Sequence, residues 1–480
     1  MSRSGIVCTI GPQCCTRESL VELRQAGMTV ARLNGSHADL DWHANAIALI
    51  HAAVPEVPIL LDIPGRKIRT KQLAHEPRFA AGDEIVLTTD DAHDGSEKVP
   101  VTYASLHEDL SPGDRILADD GTLGFTVLAI EGCDLRCRCD TNGVLKSGKG
   151  INVPHVQLRT DVVTDRDRHM VAFALEHGVD YVGVSFVESR EHVAAVRALG
   201  GEKGLRIVAK IENQGGLDNA EEVIDEADAI MIDRGDLAVE TSVERVSVFQ
   251  KQILEHARKL GKPVIVATEM LHSMIHSPVP TKAEVSDITN AVLDGCAATM
   301  LSGETAVGVH PRLAVETMRR VSDAAQAYWH QGLLDGQFVR PPPSRAGSLA
   351  LVEAVAAVGR SLPITKIIAI TVSGYAARMI AATRPEQTIL AVSNDAATAR
   401  SLNLLFGTTG VHVDIPFDRT STDHIPVCLK HLWLLNHVCE DDVLLVTALA
   451  YPSAGRRMNL VQTHHVTDLV SAFGWTRGGV

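Results

Sequence analysis

Short apolar runs alternate with helix-length amphipathic segments along the first two thirds of the chain. The runs are Gly5–Ile10, Thr29–Leu33, Pro58–Leu61, Asp180–Val184, Arg206–Ala209, Ala229–Ile232, Pro263–Ala267 and Ala298–Leu301. They are rich in Val and Ile and mostly lack polar residues at alternate positions, the pattern of strands buried on both faces. Between them lie amphipathic stretches such as Arg17–Ala26, Arg166–His177 and Val246–Leu260. The second opens Thr164-Asp165-Arg166-Asp167, a capping-box-like start with Asp standing in for Glu or Gln. Eight β-α units predict an α/β fold of the (β/α)8 TIM-barrel type.

One connection is too long for a loop. Between the third run and the helix at Arg166 lie strand signals at Glu84–Thr88, Arg115–Leu117, Leu123–Ala129 and Leu135–Cys139, with turns at Asp120-Gly121 and Asn142-Gly143. This predicts an inserted all-β domain. Arg340-Pro-Pro-Pro-Ser-Arg-Ala-Gly347 reads as a linker. Beyond it, helices at Leu349–Ser361, Tyr375–Thr383 and Ala396–Leu405 alternate with strands at Lys366–Thr371 and Thr388–Ser393, and later runs follow at Asp442–Thr447 and His464–Val466. The expected division is a barrel over 1–69 and 156–338, a β lid over 70–155, and a C-terminal α/β regulatory domain over 346–480.

The 480 residues suit about three domains. Lys and Arg number 45 against 59 Asp and Glu, a net charge of −14, so neither nucleic acid nor an anionic membrane is an expected partner. A phosphate must therefore be held by a local basic site. No apolar run is long enough to span a membrane, and no signal peptide is read at the start, so a cytoplasmic protein is expected. Nine cysteines without a C-x-x-C pair argue for free thiols, not a structural zinc. Cys137 and Cys139 alternate with Arg136 and Arg138, as on one strand.

A barrel of this kind builds its active site at the carboxyl ends of its strands. There the chain offers Arg32 with Asn34-Gly35-Ser36-His37, then Asp62 with Arg66, Lys67 and Arg69, then Ser185. Lys210-Ile211-Glu212, Arg234-Gly235-Asp236, Thr268 and Ser302-Gly303-Glu304 complete the rim. Lys210 and Glu212, two apart on a strand, point to one side. Glu212 and Asp236 are hard carboxylates suited to Mg²⁺ or Mn²⁺. Arg32, Arg69 and Lys210 could gather round a phosphate. Bland alternatives stand beside these readings: a structural Lys210–Glu212 ion pair, Asp236 as a helix N-cap, and His37 as a turn residue.

Taken together, these segments resemble pyruvate kinase over nearly the whole length. The resemblance rests on Ile6-Val-Cys-Thr-Ile-Gly-Pro12, Gly27-Met-Thr-Val-Ala-Arg-Leu-Asn34, Asp119-Asp-Gly121, Lys149-Gly-Ile-Asn152, Lys210-Ile-Glu-Asn213, Arg234-Gly-Asp-Leu237, Ala267-Thr268 and Met300-Leu-Ser-Gly-Glu-Thr305. It implies transfer of a phosphoryl group from phosphoenolpyruvate to ADP, giving pyruvate and ATP. Glu212 and Asp236 would hold the divalent metal, and Lys210 and Arg32 the phosphoryl group. Gly235 and Asp236 would hold the substrate carboxylate, and Thr268, with Ser302 and Glu304, would serve proton transfer. Pro12, Asn34, His37, Trp42, Arg69 and Lys149 would meet the nucleotide. Asn34, Ser36, Asp62 and the Ile63 carbonyl match the family's K⁺ site. Lys67 replaces a Glu of that pattern, so the resemblance implies that K⁺ is not required. Thr371, Ser373 and Gly374 form a candidate effector phosphate loop, with Val372 and Ala376 departing from the family's fructose 1,6-bisphosphate site. A homotetramer is the expected assembly.

Gly35, Glu188, Asp233 and Glu269 depart from the family's residues, and the last three add negative charge near the mouth. Two other functions compete: a metal-dependent barrel lyase or aldolase acting on pyruvate-like acids, and a catalytically silent regulatory homologue.

Overall fold

The computed structural model describes residues 4–154, 156, 159, 162–201, 204–329, 346–417, 421–448 and 458–476. The chain opens with three parallel strands, β1 (Gly5–Thr9), β2 (Val30–Asn34) and β3 (Ile59–Ile63). It then leaves the barrel for nine short strands. These are β4 (Ile68–Arg69), β5 (Arg78–Phe79), β6 (Glu84–Thr88), β7 (Val99–Pro100), β8 (Arg115–Ala118), β9 (Leu123–Glu131), β10 (Asp134–Cys139), β11 (Gly143–Val144) and β12 (Gly150–Asn152). Five barrel strands follow: β13 (Tyr181–Val184), β14 (Ile207–Ile211), β15 (Ala229–Asp233), β16 (Val264–Ala267) and β17 (Ala298–Leu301). The barrel closes in the order β1-β2-β3-β13-β14-β15-β16-β17, with β17 back on β1. All eight predicted runs are therefore barrel strands, their ends shifted by a residue or two.

Helix starts follow their side-chain caps. Thr164 and Asp167 form the expected reciprocal capping box, and Thr281 with Glu284 forms a second. The helix Arg17–Ala26 is capped by the Thr16 side chain and ends at Gly27.

Seven of the inserted strands form one sheet, ordered β4-β12-β8-β9-β10-β6-β7, and β5 pairs with β11. The sheet packs its own apolar core around Phe125, Leu87, Leu135 and Cys137. Cys137 and Cys139 are buried while Arg136 and Arg138 face solvent, as the alternation predicted. The two strands joining this unit to the barrel, β4 and β12, pair with each other, Gly150 opposite Arg69.

The C-terminal sheet comprises β18 (Lys366–Ile370), β19 (Thr388–Ser393), β20 (Thr408–His412), β21 (Val443–Ala448) and β22 (Leu460–His465), ordered β20-β19-β18-β21-β22. Sequence reading did not predict β20 or the helix His424–Leu434, and Val466 begins the helix Val466–Phe473 instead of ending a strand. The proline-rich linker lies mostly outside the described residues, and its last two residues, Ala346 and Gly347, belong to the helix Ala346–Ser361. This unit docks on the amino-terminal mouth of the barrel. Leu404 joins the apolar cluster inside the barrel with Val7, Leu60, Val208 and Met231. Around it, Arg400 binds Asp180 at 2.9 Å, Tyr181 donates to the Ser401 carbonyl at 2.9 Å, and Arg206 donates to Thr398 at 2.9 Å. Among the described residues no helix is long and apolar enough to cross a membrane.

Candidate active site

The carboxyl ends of the barrel strands converge on one buried ammonium group. Lys210, near the end of β14, is 5% exposed. Its Nζ lies 2.6 Å from Glu212 Oε1, 3.4 Å from Asp233 Oδ2 and 3.6 Å from Asp62 Oδ2, and donates to Ser185 Oγ at 3.3 Å. Burial works against the charge, but Glu212, Asp62 and Asp233 outweigh it and hold the ammonium protonated well above its ordinary range. The two-residue spacing of Lys210 and Glu212 thus brings them together as predicted.

Asp62 joins this group to Arg32. Arg32 Nε and Nη2 both lie 2.8 Å from Asp62 Oδ2, and Nη1 donates to Thr9 Oγ1 at 3.0 Å. Thr9 had not been singled out, because it lies within the apolar run Gly5–Ile10. Room for the Asp62 carboxylate comes from Gly183 on the neighbouring strand, where a Cβ would lie 2.0 Å from Asp62 Oδ1.

Three carboxylates face this cationic pair. Oxygens of Glu212, Asp233 and Asp236 all lie within 4.8 Å of one another. Burial raises the Glu212 carboxyl to about 8, against the pull of Lys210. Burial and the Asp233 charge raise Asp236 as well. Burial also acts on Asp233, but Lys210, Lys67 and Arg32 outweigh it and keep that carboxyl low. A set of clustered, buried carboxylate oxygens fits a hard divalent cation, whose charge would balance theirs. Asp236 is not an N-cap: it sits in the first turn of the helix Arg234–Glu240, whose N-cap position is Asp233.

Lys67 does not point into solvent, nor does it sit on Asn34 or Ser36. Its Nζ lies 2.6 and 2.8 Å from the two oxygens of Asp236. It reaches there by lying along β12, where a Cβ at Gly150 would come within 2.9 Å of Lys67 Cε. A second contact ties the lid to the same helix: Asn152 Nδ2 donates to Glu240 Oε1 at 2.7 Å. Burial raises the Glu240 carboxyl to about 7, the Asn152 hydrogen bond opposes this, and Asp236 adds to it.

The departures from the family pattern are largely absorbed. Arg66 pairs with Glu188 at 2.8 Å, so Glu188 adds no uncompensated charge. Asp233 is a counter-ion of Lys210 as well as a member of the carboxylate cluster. Glu269 alone of the three is exposed. Gly35 lies against the barrel wall, where a Cβ would come 2.6 Å from the Asp62 carbonyl oxygen and 2.5 Å from Met170 Cε.

Thr268 holds a left-handed backbone at φ +68°, followed by Glu269 at +55°. A β-branched residue pays for that conformation in strain. Its hydroxyl accepts from the Gly235 N–H at 2.8 Å and donates to the Ala267 carbonyl at 2.7 Å. Arg234 braces the loop from below, donating to the Thr268 carbonyl at 2.8 Å and pairing with Asp287 at 2.7 Å. The Glu304 carboxylate is buried and accepts from the N–H groups of Ser302 at 2.7 Å and Leu271 at 3.1 Å.

Of the remaining predicted residues, Pro12 and His37 are exposed on the rim, and Asn34 Oδ1 accepts from the Ser36 N–H at 3.1 Å. The Ile63 carbonyl accepts from Ser185 Oγ at 3.0 Å. Partial desolvation of the His37 ring by its rim neighbours lowers its pKa, and the charges of Arg69 and Arg32 lower it further. Arg69 donates to the Gly148 carbonyl at 2.9 Å and Lys149 pairs with Asp119 at 2.6 Å, both within the lid. Trp42 is half-buried against the barrel core, its ring edge-on to His43. Thr371 Oγ1 accepts from the Gly374 N–H at 3.0 Å, which closes the turn before the helix Tyr375–Ala382.

Comparison with known proteins matches the chain to two family models: the pyruvate kinase barrel domain over residues 1–315 and the pyruvate kinase alpha/beta domain over residues 350–464. The chain is similar to a pyruvate kinase of Bacillus licheniformis, with 37% identity covering 98% of this chain and 82% of the relative. It is 36% identical to one of Geobacillus stearothermophilus, over 98% of this chain and 81% of the relative. It is 38% identical to one of Clostridium perfringens, over 85% and 88%.

Proposed function

The chain belongs to the pyruvate kinase family, and from that premise we propose that it transfers the phosphoryl group of phosphoenolpyruvate to ADP, giving pyruvate and ATP. The observation that carries this reading is the Lys210 ammonium, buried between Glu212, Asp62 and Asp233 beside Arg32. A phosphoryl transfer asks for preorganised positive charge where the migrating group sheds its partners, and this cluster provides it.

Glu212 and Asp236 would hold the divalent ion, Mg²⁺ or Mn²⁺. Bound there, such an ion would neutralise charge on the phosphoryl group and on the enolate. Arg32 grips the phosphoryl oxygens while Asp62 keeps its guanidinium plane fixed. Lys210 balances charge on the group in flight. Gly235 and Asp236 receive the substrate carboxylate. Thr268 holds the proton path to the enolate carbon, and Ser302 and Glu304 keep that loop in place. Pro12, Asn34, His37, Arg69 and Lys149 meet the nucleotide, with Trp42 at its edge. The lid, over 70–155 between barrel segments 1–69 and 156–338, closes to exclude water.

Lys67 brings into the site, as a fixed side chain, the charge that a K⁺ would otherwise supply near Asn34, Ser36, Asp62 and Ile63. The enzyme therefore works without K⁺. The domain over 346–480 is regulatory, with Thr371, Ser373 and Gly374 as its phosphate loop, and the assembly is a homotetramer. A coupled assay for pyruvate formed from phosphoenolpyruvate and ADP tests the function. Pyruvate formed only with ADP and a divalent ion supports it, and an ADP-independent release of pyruvate overturns it.

A further inference from the structure

Asp233 ends β15 and holds the N-cap position of the helix Arg234–Glu240, yet its side chain makes no capping hydrogen bond. An aspartate in that place ordinarily accepts from the N–H groups of the first turn. This one turns inward instead. It is 7% exposed, and it brings an oxygen within 4.8 Å of oxygens of Glu212 and Asp236. It is also one of the positions at which the chain departs from its family.

Asp233 does not lack cations. Lys210 Nζ stands 3.4 Å from its Oδ2, and the charges of Lys67 and Arg32 act on it as well. The Lys210 contact is longer than the roughly 2.8 Å of a charge-assisted hydrogen bond, because the ammonium sits closer to Glu212, at 2.6 Å. A counter-ion of Lys210 has no need to stand between the two candidate metal ligands. The placement, not the charge, marks this residue.

Two details of the surroundings favour a shared ion. Glu212 is fully buried, and its Oε2 accepts from the Phe186 N–H at 2.7 Å. Its Oε1 lies 2.6 Å from Lys210 Nζ, but outside the alignment of a hydrogen bond, and so keeps lone-pair capacity for a further partner. Beside Asp233, residue 235 is glycine. A Cβ there would lie 3.7 Å from Asp233 Oδ1 and 3.6 Å from Thr268 Oγ1, so the glycine keeps the space between these two oxygens open.

We propose that Asp233 is a third protein ligand of the divalent ion, beside Glu212 and Asp236. The proposal rests on the assignment of those two residues to the ion, and it adds a residue that the family pattern does not supply. Three carboxylates hold a hard ion more tightly than two before any substrate arrives, and leave it one water fewer.

The first test uses the wild-type chain. Crystals soaked in Mn²⁺ should show an anomalous peak with oxygens of Glu212, Asp233 and Asp236 each within about 2.5 Å. A peak on Glu212 and Asp236 with Asp233 beyond that distance overturns the proposal and leaves the two-ligand assignment standing. No peak in the cluster overturns both. The second test is made in solution, without phosphoenolpyruvate or ADP. Mn²⁺ is titrated into metal-free wild type and Asp233→Ala, and the variant should bind it at least about tenfold more weakly. Relaxation of water protons by the bound Mn²⁺ counts its waters and should read one more on the variant. Weaker binding with an unchanged water count would make Asp233 a counter-ion acting at a distance, and overturns the proposal, as does unchanged affinity. The soak needs no variant, so it decides the question even where Asp233→Ala is unstable.

Discussion

The ammonium of Lys67 sits astride the carboxylate of Asp236, 2.6 and 2.8 Å from its two oxygens. Lys67 lies where the barrel gives way to the lid, and Asp236 is a candidate metal ligand. A divalent ion entering the cluster must therefore displace Lys67 from that carboxylate. Lys67→Met should tighten Mn²⁺ binding to the metal-free enzyme by about threefold to tenfold, the equivalent of about 1 kcal/mol, for a pair whose two side chains are only 15% and 13% exposed. Electron paramagnetic resonance of free Mn²⁺ measures this, and weaker binding in the variant would show that Lys67 assists the metal.

Under the proposed function the same residue sets the monovalent requirement. Wild type should keep near-full activity when K⁺ is replaced by tetramethylammonium. Lys67→Glu places a second carboxylate against Asp236, and at about 4 Å and an effective dielectric of about 20 the repulsion is roughly 4 kcal/mol. That variant should depend on K⁺. A hundredfold loss in wild type on K⁺ withdrawal would refute the role given to Lys67.

Lys210→Met should lower turnover by at least about a hundredfold, the loss of one preorganised charge worth ~3 kcal/mol. It also leaves Glu212, Asp62 and Asp233 without their shared cation. Its melting temperature should therefore fall, and Mg²⁺ should restore more of it than in wild type. A variant as active as wild type would remove Lys210 from the chemistry.

Glu240 predicts a pH effect with a definite sign. Its carboxyl is raised to about 7 in the folded protein, chiefly by burial. The folded state thus holds the proton more tightly than the unfolded chain, whose Glu titrates near ~4.3. The stabilisation is fully present below that lower value and is lost as pH rises through about 7. Glu240→Gln keeps a side-chain carbonyl for Asn152 and cannot ionise. It should melt higher than wild type at pH 8 and like wild type at pH 4, read from paired thermal scans, with a difference of at most ~4 kcal/mol.

Thr268→Ala removes the hydroxyl that accepts from Gly235 N–H. Proton transfer should slow by more than phosphoryl transfer, so exchange of solvent deuterium into pyruvate should fall further than overall turnover. Equal losses in both would make Thr268 a loop brace instead of a participant in protonation.

Much of this site was legible because the barrel repeats one rule. Apolar runs after the first end in polar residues, and parallel strands deliver those ends to one rim, so Lys210 and Glu212 could be brought together from spacing and Arg32 placed on the same rim, while the Asp62 contacts with both cations were not foreseen. What escaped were contacts across the lid hinge. Lys67 and Asp236 are 169 residues apart, and nothing local to either encodes their meeting. It depends on β12 running beside Lys67 with glycine at 150. Asp233 was read as an isolated added charge, because its partner Lys210 lies on the neighbouring strand. The strand β20 was missed for a different reason: Thr408-Thr-Gly-Val-His412 has one large apolar side chain and is half-exposed at a sheet edge.

The docking of the C-terminal unit has a mechanical consequence. Asp180 and Tyr181 stand at the start of β13, and Arg206 stands just before β14, where all three are gripped by Arg400, Ser401 and Thr398. At its other end β14 carries Lys210 and leads into Glu212, and β13 leads into Ser185. A five-residue strand is a stiff rod of about 16 Å, hydrogen-bonded on both sides and unable to buckle. The C-terminal unit therefore holds the chemistry by its handles. A tilt of that unit about Leu404 would push or pull along two adjacent staves of the barrel and move the Lys210–Ser185 pair without any rearrangement in between.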